Sequence, residues 1–558
     1  MSDNYIVKIT KGLFRSSLTK GTLPVFPHRI HHFQINPNEK WAICGSGKSK
    51  MMNILSNKYL GDPTKLALRY HSIKSGLPRI ETIQFSGAIP TAHLSARYEY
   101  FKDEYDQTCK QFILNNSIGS NNVSYDIILR DENTININLY LKLLKELKLE
   151  ELENRWAMGL SNGQMRRARL ARSILREPDL LLVDDPFLGL DPTATSIISK
   201  FLSQSESLVN TPVTIGLRYQ DTIPQWITHV CFVDEHHGVL FSGNKNQLKL
   251  QIEEFQNNER KRIEEISLQQ RNNSPYTIED LVATHPMYRD SEDTIKFPSH
   301  ERIKVTSAAN PLAPVTTTTS SPSPPAIQFN GVDVTYRGEP VLQDLHWSVA
   351  PGSKWHVRGD NGSGKSTLLS MVVAEHPQSW NQKVIENGIK RKTGQTSYFK
   401  INEKIGMSSP ELHAIFAKRG NKINVLESIS SGLHEGSSNN FLPMWDKLSL
   451  DQQKIIKMFM DHFNLTRIQN NFFSNLNVSQ QKLVLFVRAI VKRPEILILD
   501  EAFSGMEDTE MIQCYDLLNS WPGTVLVVAH IEEETPKCNH YIRLISPGHY
   551  EIGDVSNE

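Results

Sequence analysis

Residues 359–367 read GDNGSGKST, and this stretch decides the fold. It fits the phosphate-loop pattern G-x-x-x-x-G-K-[ST] over Gly359, Asp360, Asn361, Gly362, Ser363, Gly364, Lys365 and Ser366, with Thr367 next. Its glycines let backbone N–H groups approach phosphate oxygens, and the following helix adds the positive end of its dipole. Lys365 is expected to reach the β and γ phosphates of a nucleotide, and Ser366 to ligate Mg²⁺. The apolar run ILIL at 496–499 reads as a buried strand that carries Asp500 to the same edge as a second magnesium anchor. Glu501 beside it is placed to polarise an attacking water. His530 follows the strand-like TVLVVAH, where a γ-phosphate sensor would sit. Tyr336, 29 residues before Lys365, is a candidate for stacking on adenine; the alternative is an ordinary aromatic at a strand end.

A weaker copy lies upstream. WAICGSGKSK, residues 41–50, keeps Cys44, Gly45, Ser46, Gly47, Lys48 and Ser49 but has Ala42 where the pattern wants the first glycine. The two loop lysines are 317 residues apart, and a second pair of segments repeats at nearly the same offset. LSNGQMRRARLARSILREPDLLLVDDPFLGLD starts at Leu160, and LNVSQQKLVLFVRAIVKRPEILILDEAFSGMED starts at Leu476. Gln164 and Gln480 differ by 316, as do Asp184 and Asp500. Two ordered copies at a constant offset mean a duplicated unit. Each copy reads as strand, phosphate loop, helix, variable middle, helix, apolar strand and acidic pair. That alternation predicts an α/β fold, with a mostly parallel sheet and a helical subdomain in each copy.

The boundaries follow from texture. The copies are placed at 1–245 and 326–558, joined by 246–325. Residues 246–273 read as a helix with five Lys/Arg and five Glu, and 306–325 are Pro/Thr/Ser-rich, as in an extended tether.

A phosphate loop, an LSGGQ-like signature and an acidic pair 20 residues further on resemble the ATP-binding cassette (ABC) ATPases, over nearly all of both copies. The resemblance is to soluble tandem members without a membrane domain, the branch of the bacterial ModF and photorepair proteins. It implies two P-loop NTPase domains that pair head to tail within the chain, each ATP lying between one phosphate loop and the other copy's signature. Site two would then take Lys365, Ser366, Asp500, Glu501 and His530, closed by Leu160, Ser161, Asn162, Gly163 and Gln164. Everything hydrolysis needs is present there. Site one would take Lys48, with Ser49 and Asp184 on magnesium. There Asp185 stands for glutamate, Arg218 and Tyr219 follow the strand VTIGL in place of histidine, and the received signature is Leu476-Asn477-Val478-Ser479-Gln480. Glu507 also replaces the aspartate expected after that cassette's acidic pair. Site one is therefore expected to bind ATP with little turnover. The stretch IGMSSPELH lacks the glutamine that couples such ATPases to membrane domains, having Pro410 and Glu411 nearby, and Gln84 is a weak candidate in the first copy.

Composition narrows the partners. Lys plus Arg equals Asp plus Glu at 61 each, which gives no push towards nucleic acid or an anionic membrane. Five scattered cysteines point to a reducing compartment and no structural zinc, and no apolar run approaches the roughly 18 residues of a bilayer span. A cytoplasmic location is expected. The acid-free stretch 4–38, with Lys8, Lys11, Arg15, Lys20 and Arg29, leaves a mitochondrial targeting segment as the alternative to a first strand. An unidentified protein partner or a separate permease fits the family; a ribosome-acting factor, which would carry a strongly basic arm, and an ATP-clamped scaffold fit less well.

Overall fold

The computed structural model describes residues 5–17, 22–64, 66–71, 79–85, 107–114, 136–157, 160–209, 211–285, 324–336, 338–360, 362–420, 422–433 and 445–555. Most of the tether and Asn361 lie outside them. The chain forms two compact units, Met1–Arg262 and Ile263–Glu558.

The first unit opens with β1 (Val7–Arg15), β2 (Ile30–Ile35), β3 (Trp41–Cys44), α1 (Lys48–Leu55), β4 (Leu60–Asp62), β5 (Leu68–Tyr70) and β6 (Ile80–Gln84). The acid-free N-terminal stretch thus contains a strand. Helices α2 (Cys109–Leu114) and α3 (Ile137–Glu146) follow, then α4 (Asn162–Ile174), β7 (Leu180–Asp184), α5 (Pro192–Val209), β8 (Val213–Leu217), β9 (His229–Asp234) and β10 (Gly238–Asn244). A 25-residue helix, α6 (Lys249–Asn273), comes next. Its Phe255 stacks edge-on against Phe232 and Phe241 of this unit.

Two sheets build the unit. An antiparallel one runs β2-β1-β4, with β5 also on β1; a six-stranded one runs β10-β9-β3-β8-β7-β6, parallel except for β10. Strands β3, β7 and β8 are buried at every residue, as a parallel sheet covered on both faces requires.

The second unit repeats the plan. After α7 (Ile278–Ala283) come β11 (Ile327–Tyr336), β12 (Glu339–Val349), β13 (Lys354–Gly359), α8 (Lys365–Val372), β14 (Val384–Glu386), β15 (Ile389–Lys390), α9 (Tyr398–Glu403), β16 (Ile405–Ser408) and α10 (Pro410–Arg419). Then follow α11 (Val425–Ser430), α12 (Leu450–His462), α13 (Val478–Ile490), β17 (Ile496–Asp500), α14 (Asp508–Ser520), β18 (Thr524–Val528), β19 (His540–Ser546) and β20 (His549–Asp554). Its sheets run β12-β11-β14-β15 and β16-β17-β18-β13-β19-β20. The second order is the first unit's, strand for strand. Residues 274–285 pack on this unit: His285 Nε2 pairs with the Pro494 carbonyl at 3.1 Å, and Arg493 donates to the Thr284 carbonyl at 3.1 Å.

Candidate functional site

In both units the loops that matter leave the C-terminal ends of the parallel strands. Phosphate loop two connects β13 to α8 and phosphate loop one connects β3 to α1. The acidic pairs end the strands two places along the sheet, with Asp184 closing β7 and Asp500 closing β17. Their second members turn sharply: Asp185 has φ of 51° and Glu501 of 47°, in the left-handed region. Each donates its N–H to the next strand, Asp185 to Gly216 at 3.1 Å and Glu501 to Val528 at 2.9 Å.

Loop two is open. Gly359, Gly362 and Gly364 have φ of 145°, 90° and 100°, which a side chain would strain. A Cβ on Gly359 would lie 2.4 Å from Ser363 Oγ and 2.5 Å from the Leu544 carbonyl, whereas one on Gly362 would meet nothing within 4 Å. Lys365 donates to the carbonyls of Gly359 at 2.7 Å and Asp360 at 3.0 Å, so its ammonium curls into the cradle. The buried Ser363 hydroxyl has no hydrogen-bond partner, and Ser366 is exposed at the start of α8. An orphaned hydroxyl, an open glycine turn and an inward ammonium fit a phosphate chain.

Around it, His530 Nε2 lies 3.3 Å from Glu501 Oε1. Burial works against the Glu501 charge, but the His530 hydrogen bond and the charges of His530, Lys482 and Lys365 outweigh it, holding the carboxyl below its usual range. Tyr336 ends β11; its side chain lies outside the described residues, as does that of Asn162.

The signature segments cap helices. Ser161 accepts from Gln164 N–H at 3.3 Å, and the Gln164 side chain accepts from Ser161 N–H at 3.0 Å, a capping box at the start of α4. Leu160 is buried behind it, and Gly163 lets the Ala194 methyl approach: a Cβ there would stand 3.0 Å away. Asn477 performs the same capping on α13, accepting from Gln480 N–H at 2.8 Å. Ser479, at the glycine's place, accepts from Glu507 N–H at 2.7 Å. Asp191 caps α5 through Ala194 N–H at 2.7 Å, but Glu507 makes no side-chain cap on α14.

A protein-family model described as ABC transporter matches residues 29–188 and 342–504. The ABC transporter ATP-binding protein YDR061W of Saccharomyces cerevisiae is 54% identical over 566 residues, covering 100% of both chains. C323.04 of Schizosaccharomyces pombe is 28% identical, over 91% of this chain and 92% of that one. ModF of Escherichia coli is 27% identical, over 97% of each.

The chain belongs to the ATP-binding cassette family.

It is a tandem cassette protein, and among the described residues no helix is long and apolar enough to cross a membrane. Members of the family bind ATP; the strand registers show how the two loops correspond. Trp41 pairs with Thr214 and His229, and Trp355 with Leu526 and His540. Each tryptophan packs on its histidine at a ring distance of 5.0 or 4.9 Å. Trp41 is therefore the counterpart of Trp355, and Gly45, not Ala42, is the counterpart of Gly359. Ala42 and Cys44 belong to the buried strand β3, and burial raises the Cys44 thiol pKa, so Cys44 is corrected from a loop contact to a core residue. Two residues separate Gly45 from Lys48, against five between Gly359 and Lys365.

Loop one is also occupied by its own protein. Lys48 Nζ lies 2.7 Å from Asp184 Oδ1 and 2.7 Å from Asp185 Oδ2, all three side chains being under 10% exposed. Ser49 donates to Asp184 Oδ2 at 2.5 Å. Burial opposes the Lys48 charge, but the two carboxylates outweigh it and raise its pKa. Burial pushes Asp185 up to about 6 despite Lys48. Arg218, at the place of His530, is tied to Asp221 at 2.9 Å.

Sequence reading missed two contacts. The carbonyls of Asp185 and Glu501 accept from Arg166 at 3.3 Å and from Lys482 at 2.6 Å, each two residues past a signature glutamine. Their common offset was the available signal. Near the missing coupling glutamine Pro410 opens α10, and in the first unit Phe85, next to Gln84, is buried with the Arg166 and Arg169 guanidinium carbons 5.1 and 5.4 Å from its ring centre. Gln84 is exposed opposite Asp184.

Proposed function

We propose that the protein hydrolyses ATP at one composite site, on the second cassette, closed head to tail by the first cassette's signature. The carrying observation is the Glu501–His530 pair beside an open loop, against Asp185 and Arg218, whose side chains are engaged elsewhere. Gly359, Asp360, Asn361, Gly362, Ser363, Gly364, Lys365 and Thr367 are the proposed phosphate cradle, with Tyr336 at the adenine. Ser366 and Asp500 would hold Mg²⁺, which when bound neutralises phosphate charge.

In this reading Glu501 accepts a proton from the attacking water. Its depressed pKa keeps it ionised at neutral pH, and the left-handed turn, fastened by Val528 and Lys482, fixes its direction. His530 orients the carboxylate. Leu160, Ser161, Asn162, Gly163 and Gln164 present the α4 N-terminus, whose positive end suits the far side of a γ-phosphate. The first cassette is the degenerate partner.

Opening and closing at this site would transmit work to an unidentified protein partner in the cytoplasm. The missing coupling glutamine at IGMSSPELH, where Pro410 and Glu411 stand, weighs against a permease. The test is steady-state ATPase of the purified chain. Glu501→Gln should lower turnover by roughly 10²-fold, the contribution of a positioned base, while Asp185→Asn leaves it near wild type. Equal losses would overturn the single-site assignment.

A further inference from the structure

We infer that the first cassette takes up no nucleotide, so that each chain binds one ATP, on the loop of Lys365. This rests on the reading of loop two as the ATP site and deepens it. The group that the family implies does not fit loop one, for three independent reasons.

The first is covalent. A phosphate cradle of the G-x-x-x-x-G-K type needs five residues between its first glycine and its lysine. Loop one has Ser46 and Gly47 there, and no rearrangement supplies the missing three. Restoring the length would require Ala42, Ile43 and Cys44 to leave β3, where they are at most 1% exposed and pair with β8 and β9 on both sides.

The second reason is that the donors are spent. Gly45 N–H donates to the Leu217 carbonyl at 3.1 Å, Gly47 N–H to Val233 at 3.0 Å, and Lys48 N–H to Gly45 at 3.2 Å. The Ser46 hydroxyl accepts from Glu235 N–H at 3.0 Å and donates to Asp234 at 3.3 Å. The hydroxyl of its counterpart Ser363 has no hydrogen-bond partner. The end of β9 also closes on the second glycine: a Cβ on Gly47 would lie 2.7 Å from the Val233 side chain and 2.9 Å from the Asp234 carbonyl.

The third reason is charge. Lys48 is the internal counter-ion of two buried carboxylates at 2.7 Å each. A triphosphate drawing Lys48 away would leave Asp184 and Asp185 unpaired in the interior, a strongly unfavourable state. Asp234 and Glu235, beside the loop, are themselves paired, with His237 at 2.7 Å and Lys50 at 2.6 Å. The first loop is a structural lock, fastening α1 to the end of β7 so that this cassette serves site two as a fixed signature donor.

The test is equilibrium binding of Mg²⁺ and a non-hydrolysable ATP analogue to the full chain, counted per chain. The expected count is one, falling below one tenth in Lys365→Ala. Two equivalents, or one surviving in Lys365→Ala, would overturn the inference while leaving loop two as a site. No binding to the wild-type chain would overturn loop two itself, and the count with it. Photolabelling the wild-type chain with an azido-adenine analogue needs no variant to fold. Adducts on β11 or β12 support the inference, and adducts on β1 or β2 overturn it.

Discussion

Asp185 and Glu501 occupy the same left-handed turn and differ by one methylene, yet the shorter chain falls on Lys48 and the longer one on His530. The two acids thus end on different partners, Asp185 on the buried lysine and Glu501 on the histidine. The Asp185 pKa, raised from 3.8 to about 6, gives stability a definite pH dependence. A raised acid binds protons more tightly in the folded chain, so its contribution is favourable below about pH 4 and is lost as pH rises through about 6. Asp185→Asn removes that loss, and Lys48 keeps Asp184. Thermal unfolding should show a stabilising effect that grows between about pH 4.5 and pH 7.5; a constant or shrinking effect contradicts the assignment. Lys482→Met should lower ATP turnover several-fold with unchanged ATP affinity, since it frees the turn that aims Glu501 without touching the cradle.

At the scale of elements, the signature helices show what the sequence carries openly and what it conceals. Ser161 and Asn477 both read as cap residues before a glutamine three places on, and both capping boxes form. Asn477 is therefore more than a lost hydroxyl. Asn477→Ala should reduce stability by about 1 kcal/mol in denaturant titration while leaving turnover alone, because in the proposed cycle that signature closes no hydrolytic site. Ser161→Ala should reduce both. The acidic pairs and loop two were legible because strand, turn and helix are local, and each spacing is written in one stretch. Loop one was not. Counting back from Lys48 without a gap assumes constant loop length and lands on Ala42, whereas strand position is set by neighbours more than a hundred residues away. The signal existed in the tryptophans, which lie 314 residues apart while the loop lysines lie 317 apart. The Lys48 triad had no signal, since it needs two strands and a helix brought together.

For the whole molecule, the proposed cycle makes one nucleotide responsible for joining two cassettes. Small-angle scattering of Glu501→Gln with ATP should show a smaller radius of gyration than without it. Adding Lys365→Ala should abolish the change; compaction persisting without Lys365 would place the trigger elsewhere. The Lys48 triad meanwhile bears on covalent reactivity. Acylation requires an uncharged amine open to solvent, and Lys48 is buried with its pKa held above the ordinary lysine range. In a lysine-modification map of the native chain Lys48 should stay unmodified and become reactive only when β7 and α1 separate. Its acylation then clocks the opening of the first unit, reporting from inside a protein that needs no added dye.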